Sequence, residues 1–523
     1  MRTFTTSLIL AAALLTTGTA QQSFDVLIRG GRVVDGTGAP ARRADVGING
    51  GTIAAVGVLT AATGRTEIDA TGQMVAPGFI DVHTHADEIA QHPLAEHFVR
   101  MGVTTVIAGN CGGSADDVAA AFAAIEKTRV AVNYATLFGH NTVRRAVMGS
   151  ERRPPTATEL AQMQRLVGQA MDAGAVGFST GLQYVPGTYA DQAEIVALTR
   201  TAAQRGGVYA SHLRNEGTEL EIAVREALAI GEAAQCPVQI SHLKVDAPSR
   251  WGASAKALAL IDAARAKGMK VAADVYLYDA ASSTLGIRFP SWALEGGQEQ
   301  INQRLDDAAT WARIKDEMRK LIRERGLESY DFARIASYRS DPSLNGLSIP
   351  AAAGKVLGKN DLESQFEMMR RMLRAGGASM VYQFMSEGDI GAILRHPQVA
   401  IASDSGLNVM GQGVPHPRGY GNTARALGRY VRDLKTIGLE EAIRKMTSLP
   451  AEHFGFHDRG MLAVGKAADV VLFDAARVTD RATYEQPHQY PDGIATVLVN
   501  GVAVLQQGQH TGARPGRIVR RAQ

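Results

Sequence analysis

The shortages in this 523-residue chain say more than its averages. Formal charges nearly cancel at +3, too small an excess to argue for nucleic acid or an anionic membrane as partner. No low-complexity tract interrupts the chain, and no apolar run reaches the roughly 20 residues needed to cross a bilayer. Only two cysteines occur, Cys111 and Cys236, so at most one disulfide can form. The composition, 45% apolar and 20% charged, is that of an ordinary globular protein, and the length is ample for a large core and too great for one barrel alone. The start differs from the rest. Arg2, the apolar stretch Leu8 to Leu15 and then Gly18-Thr19-Ala20 follow the order of a secretory signal cut after Ala20, so residues 1–20 read as a signal peptide and export, to periplasm or medium, is expected.

Apolar, β-rich runs that stop at a polar residue recur about every 30 residues, with helix-like stretches between them. The first, Met74 to Val82, runs into His83-Thr84-His85, whose imidazoles share a face if the strand continues. Val103 to Cys111, Ala131 to His140, Ala175 to Ser179, Gly207 to His212, Pro237 to His242, Val271 to Tyr276 and Val399 to Asp404 complete a set of eight. Strand then helix, eight times over, predicts a mixed α/β chain whose parallel sheet closes into a (β/α)8, TIM-like barrel. Active sites of that fold lie at the C-terminal ends of the strands. There the sequence places His83, His85, Cys111, His212, His242 and Asp404, so five of the eight strands end in a residue able to bind a metal. Asp404 also fits a helix N-cap in Ser403-Asp404-Ser405-Gly406. Cys111 and Cys236 fall at opposite mouths, about 15–20 Å apart, whereas a disulfide needs Cα atoms within about 7 Å. They should not pair.

Both flanks read as antiparallel sheet, with Asn-Gly turns at Asn49-Gly50 and Asn500-Gly501. The expected organisation is a small β-sandwich from residues 21–77 and 455–523 beside a barrel over 78–454. A subdomain is inserted at about 285–346, carrying a helical, charged stretch from Ala308 to Gly326. Met380 to Phe384 is a ninth strand candidate that competes with Val271 to Tyr276 for a place in the barrel.

Gly78 to Asp87, Asn110-Cys111-Gly112, Ser211-His212-Leu213-Arg214-Asn215-Glu216, Ser241-His242-Leu243-Lys244, Ser403-Asp404 and His416-Pro417-Arg418 together resemble the amidohydrolase superfamily and, within it, the N-acyl-D-amino-acid deacylases. Most members of that superfamily bridge two metals with a carboxylated lysine on the fourth strand. Gly177 to Gly181 has no lysine, and Cys111 can stand in. The donor set suits zinc. The resemblance implies a tight zinc site of Cys111, His212 and His242, a weaker one of His83, His85 and Asp404, and Cys111 able to bridge them. It also implies Asp404 as the acid–base residue. Lys244, two residues after His242, shares its face and, with Tyr276 or Tyr278, is expected to hold the α-carboxylate of a small N-acylated amino acid; Arg418 and Arg214 are further candidates. Ser405 and Leu277 depart from the family's usual Gly and Pro. A cyclic-amide hydrolase of the hydantoinase type fits the histidines but not the missing lysine, and a non-catalytic relative is the third reading. The other histidines, His92, His97, His140 and His457 among them, read as surface or structural.

Overall fold

The computed structural model describes residues 22–521, so the signal reading of residues 1–20 lies outside the described residues. The run Met74 to Val82 is two strands rather than one. Met74–Pro77 belongs to an outer sheet, where it pairs antiparallel with Val470–Phe473, and Phe79–Asp81 opens the barrel as β1. Gly78 permits the break, because a Cβ there would meet Thr104 Oγ1 at 2.2 Å. From β1 the chain builds an all-parallel sheet: β2 (Val103–Ala108), β3 (Asn133–Gly139), β4 (Gly177–Gly181), β5 (Val208–His212), β6 (Val238–Ile240), β7 (Val271–Val275) and β8 (Val399–Ile401). Every residue of these eight strands is buried, as expected of a sheet covered on both faces.

The sheet closes just past its terminal strands. Thr84–His85 pairs in parallel with Ser405–Gly406, Asp404 N donates to His83 O at 2.9 Å, and Ser403 N donates to the buried Asp81 carboxylate at 3.0 Å. Closure therefore brings the first and eighth strand ends, His83 and Asp404, into register.

The competition for the seventh barrel place is settled. Val271–Val275 lies between β6 and β8, while Ser379–Gln383 is the middle strand of an antiparallel sheet with Ala280–Thr284 and Ala333–Ser337. The insert consequently runs from Ala280 to Gln383, longer than the 285–346 read from sequence, because its sheet draws strands from both sides of that span. The helix Ala308–Glu324 begins at Asp307, whose carboxylate accepts from Thr310 N.

Nine strands from both chain ends form the outer sheet. The long strand Ser23–Val33 pairs with Thr63–Asp69 along its first part and with Met74–Pro77 at its end, so the sheet forks there. One buried cluster, with Ile28, Val46, Val75, Leu472 and Leu498, joins the two chain ends. Cys111 and Cys236 are both unpaired. No helix of the described residues is long and apolar enough to cross a membrane.

Candidate active site

Three residues at the barrel mouth, Cys111, His242 and Asp404, have left-handed backbone, with φ of 53°, 33° and 51°. Non-glycine residues rarely adopt it, and it persists only where the surroundings over-determine it. Here they do. Asn110 Nδ2 donates to Ile107 O at 2.9 Å, and on β4 the Ser179 hydroxyl accepts from Gly112 N at 3.1 Å, tying down the Asn-Cys-Gly turn. A Cβ on Gly112 would lie 2.5 Å from Asn141 Oδ1. His242 N donates to Asp274 Oδ1 at 2.8 Å.

The turns aim the side chains at one another. Cys111 Sγ lies 3.3 Å from His83 Nε2 and 3.3 Å from His242 Nε2. Asp404 Oδ1 lies 3.2 Å from His85 Nε2 and 3.6 Å from His83 Nε2. His212 packs its ring edge-on to His242, centroids 4.5 Å apart, but its Nε2 is 3.0 Å from Gln183 Oε1, and Tyr184 covers its other side. Among the described residues, the groupings close enough to hold an ion are His83–Cys111–His242, His83–His85–Asp404 and His212–Glu216–His242. The trio Cys111, His212 and His242 inferred from resemblance is not among these groupings; His212 lies beside His242 with its Nε2 facing Gln183 and Glu216.

Burial would push the Cys111 thiol up, yet the imidazoles of His83, His242 and His212 outweigh it and hold the group well below the ordinary thiol range. Burial would likewise raise Asp404, but Arg418, then His242 and His83, hold it well below the usual carboxylate range. A thiolate, several imidazoles and a carboxylate are zinc's preferred donors, and His212 Nδ1 is a buried ring nitrogen with no protein partner. The residues fit the ion.

Two supporting acids were not singled out from sequence. Asp274 Oδ1 lies 3.3 Å from His83 Nδ1 while the carboxylate also takes Gln239 Nε2 at 2.6 Å. Glu216 Oε1 lies 3.0 Å from His242 Nδ1. Each fixes the orientation of a candidate ligand from behind. Asp274 carries a legible signal, a charge inside an apolar strand; Glu216 carries only its position four residues after His212.

The substrate candidates are placed as follows. Lys244 is buried, 2.6 Å from Glu216 Oε1 and 2.7 Å from His242 Nδ1, so its charge is engaged before any substrate arrives. Tyr276 turns its hydroxyl to Met385 Sδ at 3.4 Å, and its ring is the seat of the Arg418 guanidinium, 4.4 Å away. Tyr278 donates to Asp480 at 3.0 Å. Arg418 Nη1 lies 2.9 Å from Asp404 Oδ2 at an angle that makes an ion pair but no hydrogen bond. Arg214, the further candidate, pairs with Glu226 at 2.8 Å. His85, Cys111, Asp404 and Arg418 border a cavity of about 680 Å³ beneath the insert, with Ser282, Ser283 and Thr284 on its wall.

Residues 66–505 match the sequence profile of the amidohydrolase family. An N-acyl-D-glutamate deacylase of Alcaligenes xylosoxydans xylosoxydans is 40% identical over 96% of this chain and 97% of its own, and a D-aminoacylase of the same organism is 36% identical over 96% and 98%. The N-acyl-D-glutamate deacylase of Bordetella bronchiseptica, solved with zinc and a phosphonate inhibitor that mimics the tetrahedral intermediate, superposes with a TM-score of 0.82 at 38% identity, covering 95% of this chain and 100% of that one. In sequence and in fold over nearly their whole length these relatives match this chain, and the chain belongs to the amidohydrolase family, on the branch of the N-acyl-D-amino-acid deacylases.

Proposed function

We propose that this protein is a zinc-dependent hydrolase of N-acyl-D-amino acids, releasing a carboxylate and the free D-amino acid, and that it works after export. The observation that carries the reading is the Cys111 thiolate, held between His83 and His242 and bordering the same cavity as Asp404. His83, His85, Cys111, His212, His242 and Asp404 are the residues that would hold zinc. Zinc supplies Lewis acidity there, polarising an amide carbonyl and making water a stronger acid.

The chain's own groups supply the rest. Asp404 takes a proton from the water that attacks the carbonyl and returns it to the departing nitrogen, whose C–N bond breaks as the new C–O bond is kept. Arg418 engages Oδ2, leaving Oδ1 toward His85 and His83. Because Arg418 makes no hydrogen bond to Asp404, its donors remain free for the α-carboxylate of the substrate. Lys244 and Glu216 hold the His242 ring. The D configuration rests on the relatives, and export rests on the order of charge, apolar stretch and small residues before Gln21.

A panel of N-acetyl-D- and N-acetyl-L-amino acids, offered to zinc-loaded protein, tests the reaction. Cleavage confined to the D series is expected; an intact D series, or preference for L isomers, rejects it. N-terminal sequencing of protein from the cell envelope or medium should begin near Gln21, and a retained Met1 rejects export.

A further inference from the structure

The formal charge of +3 hides where the charge sits. Two cavities lie at the N-terminal ends of the barrel strands, the mouth opposite the candidate metal ligands. The first, about 500 Å³, is lined by Arg129, Arg514, Arg517 and Arg520, with Glu126 the one acid on its wall among the described residues. The second, about 570 Å³, is bordered by Gly207 and Lys270, which stand directly before β5 and β7, and joins Lys267, Lys270 and Arg521 against Glu232. Seven cations to two carboxylates leave an excess of five, more than the whole chain carries. The rest of the molecule is therefore slightly acidic, and the barrel's base is its basic pole.

Backbone bonds hold the arginines together. Gly516 N donates to Val130 O at 2.8 Å, Tyr134 N on β3 to Arg517 O at 2.9 Å and Val519 N to Tyr134 O at 2.8 Å, so the tail is tied along the start of β3. A Cβ on Gly516 would lie 2.1 Å from Val132 O, which keeps that position glycine. Arg129 enters from the end of the helix Val118–Thr128 with φ of 58°, a backbone state that costs a non-glycine residue free energy. One cation suits the negative end of a helix. Four exceed that need. Exposed arginines elsewhere find carboxylates: Arg29 has Glu67 at 2.9 Å, Arg153 has Glu159 at 2.7 Å and Arg205 has Asp172 at 2.7 Å. Among the described residues none of the seven does, although Glu126 and Glu232 border the same cavities, and Arg521 Nη1 is buried without a hydrogen-bond partner. Like charges gathered in this way repel one another, and an anion from outside relieves the repulsion.

We propose that this face docks on an anionic phospholipid bilayer, with the arginines on lipid phosphates and the active-site mouth turned away toward solvent. Guanidinium forks match phosphate oxygens two at a time. Two cavities joined through the neighbouring Arg520 and Arg521 suit a layer of phosphates better than one small anion. Val502, 45% exposed, stands among the arginines with Ile518, as apolar side chains do where a protein settles into headgroups. Neither cavity is lined by an aromatic residue, on which a single-stranded nucleic acid would stack.

Co-sedimentation with vesicles of phosphatidylcholine, alone or mixed with phosphatidylglycerol, tests the proposal. The zinc-loaded parent should bind the mixed vesicles, leave the neutral ones, and release as salt rises. The triple variant Arg514→Gln, Arg517→Gln, Arg520→Gln should bind about a hundredfold more weakly, at roughly fivefold per arginine. Its kcat/KM on a soluble N-acetyl-D-amino acid should match the parent's, and the same three positions changed to Lys should keep most of the binding. Residues 1–20 are common to parent and variants and drop out of the difference. Should the triple variant fail to fold, Lys267→Gln with Lys270→Gln, both exposed and outside the tied tail, should weaken binding by roughly twenty-fivefold. Equal binding to neutral and anionic vesicles, or variants that bind as the parent does, overturns the proposal. Tighter binding of a DNA duplex than of mixed vesicles, or release from them by inorganic pyrophosphate at constant ionic strength, also overturns it, and assigns the cavities to nucleic acid or to a free phosphate compound. A parent that ignores all vesicles and forms dimers that the triple variant separates overturns it in favour of a second copy of this chain.

Discussion

Two buried histidine clusters sit at strand ends of the same barrel and handle charge in opposite ways. His140 follows β3 and starts the helix His140–Met148; its Nε2 lies 2.8 Å from Glu194 Oε1, and Glu194 also pairs with the wholly buried Arg144. Arg144 Nη2 donates to the carbonyls of Arg153 at 2.7 Å and Glu151 at 3.2 Å, and only Nε is left without a partner. Its charges are paired among themselves on ordinary helical backbone, and none of its three side chains borders the active-site cavity. The cluster around Cys111 is built on three left-handed residues, retains the unpartnered His212 Nδ1, and opens into a cavity through a half-exposed His85. A histidine at a strand end is therefore no sign of chemistry by itself. What separates the two is whether the charges are paired internally on relaxed backbone or aimed, at a cost in backbone strain, at something yet to arrive.

The contrast yields graded expectations. Asp404→Asn should lower kcat by about 10²–10⁴-fold while most zinc remains bound, since it removes proton transfer and keeps the shape. A rise in KM alone would make Asp404 a binding residue and narrow the gap between the clusters.

Glu194→Gln should act on stability instead, costing about 3–5 kcal/mol in urea unfolding because Arg144 and His140 lose their partner, with kcat near the parent's wherever the variant is folded. Burial raises Glu194, but His140 and Arg144 outweigh it and leave the group below the usual range. A carboxylate lowered in the folded state stabilises above its unfolded pKa and ceases to do so as pH falls through the folded value. The gap between parent and variant should thus be full at neutral pH and shrink below about pH 4. A gap that widened on acidification would contradict the assignment.

Asp274→Asn should have the smallest effect, a roughly ten- to hundredfold weaker hold on zinc in chelator competition, as for other residues that orient a ligand from behind. Unchanged zinc affinity would place Asp274 with the Glu194 cluster, as a purely architectural acid.

The barrel was readable because strands buried on both faces leave continuous apolar runs, and the site because a strand end is where such a run meets its first polar residue. What stayed hidden depends on contacts between distant segments. The break at Gly78 follows from the approach of Thr104, which no local pattern announces. The insert was cut short because Ser379–Gln383 pairs with strands about 40 and 100 residues earlier. Glu216 serves His242 and Lys244, a choice made by how the loop after β5 folds over β6. Lys244 and Tyr276 line a narrow pocket beside His242 and Asp404, and their polar atoms are committed to Glu216 and Met385, contacts that no local pattern announces.

The pairing of Met74–Pro77 with Val470–Phe473 bears on how the chain comes into being. The ribosome emits about 5–20 residues each second, so a segment made early waits some 20–80 s for a partner roughly 400 residues downstream. Throughout that interval the strand that leads directly into β1 has its outer edge bare. A chain interrupted anywhere before residue 470 would keep that edge exposed for good, an invitation to mispairing with other unfinished chains. Completion of synthesis, rather than completion of the barrel, is the moment at which this molecule becomes safe from its own copies.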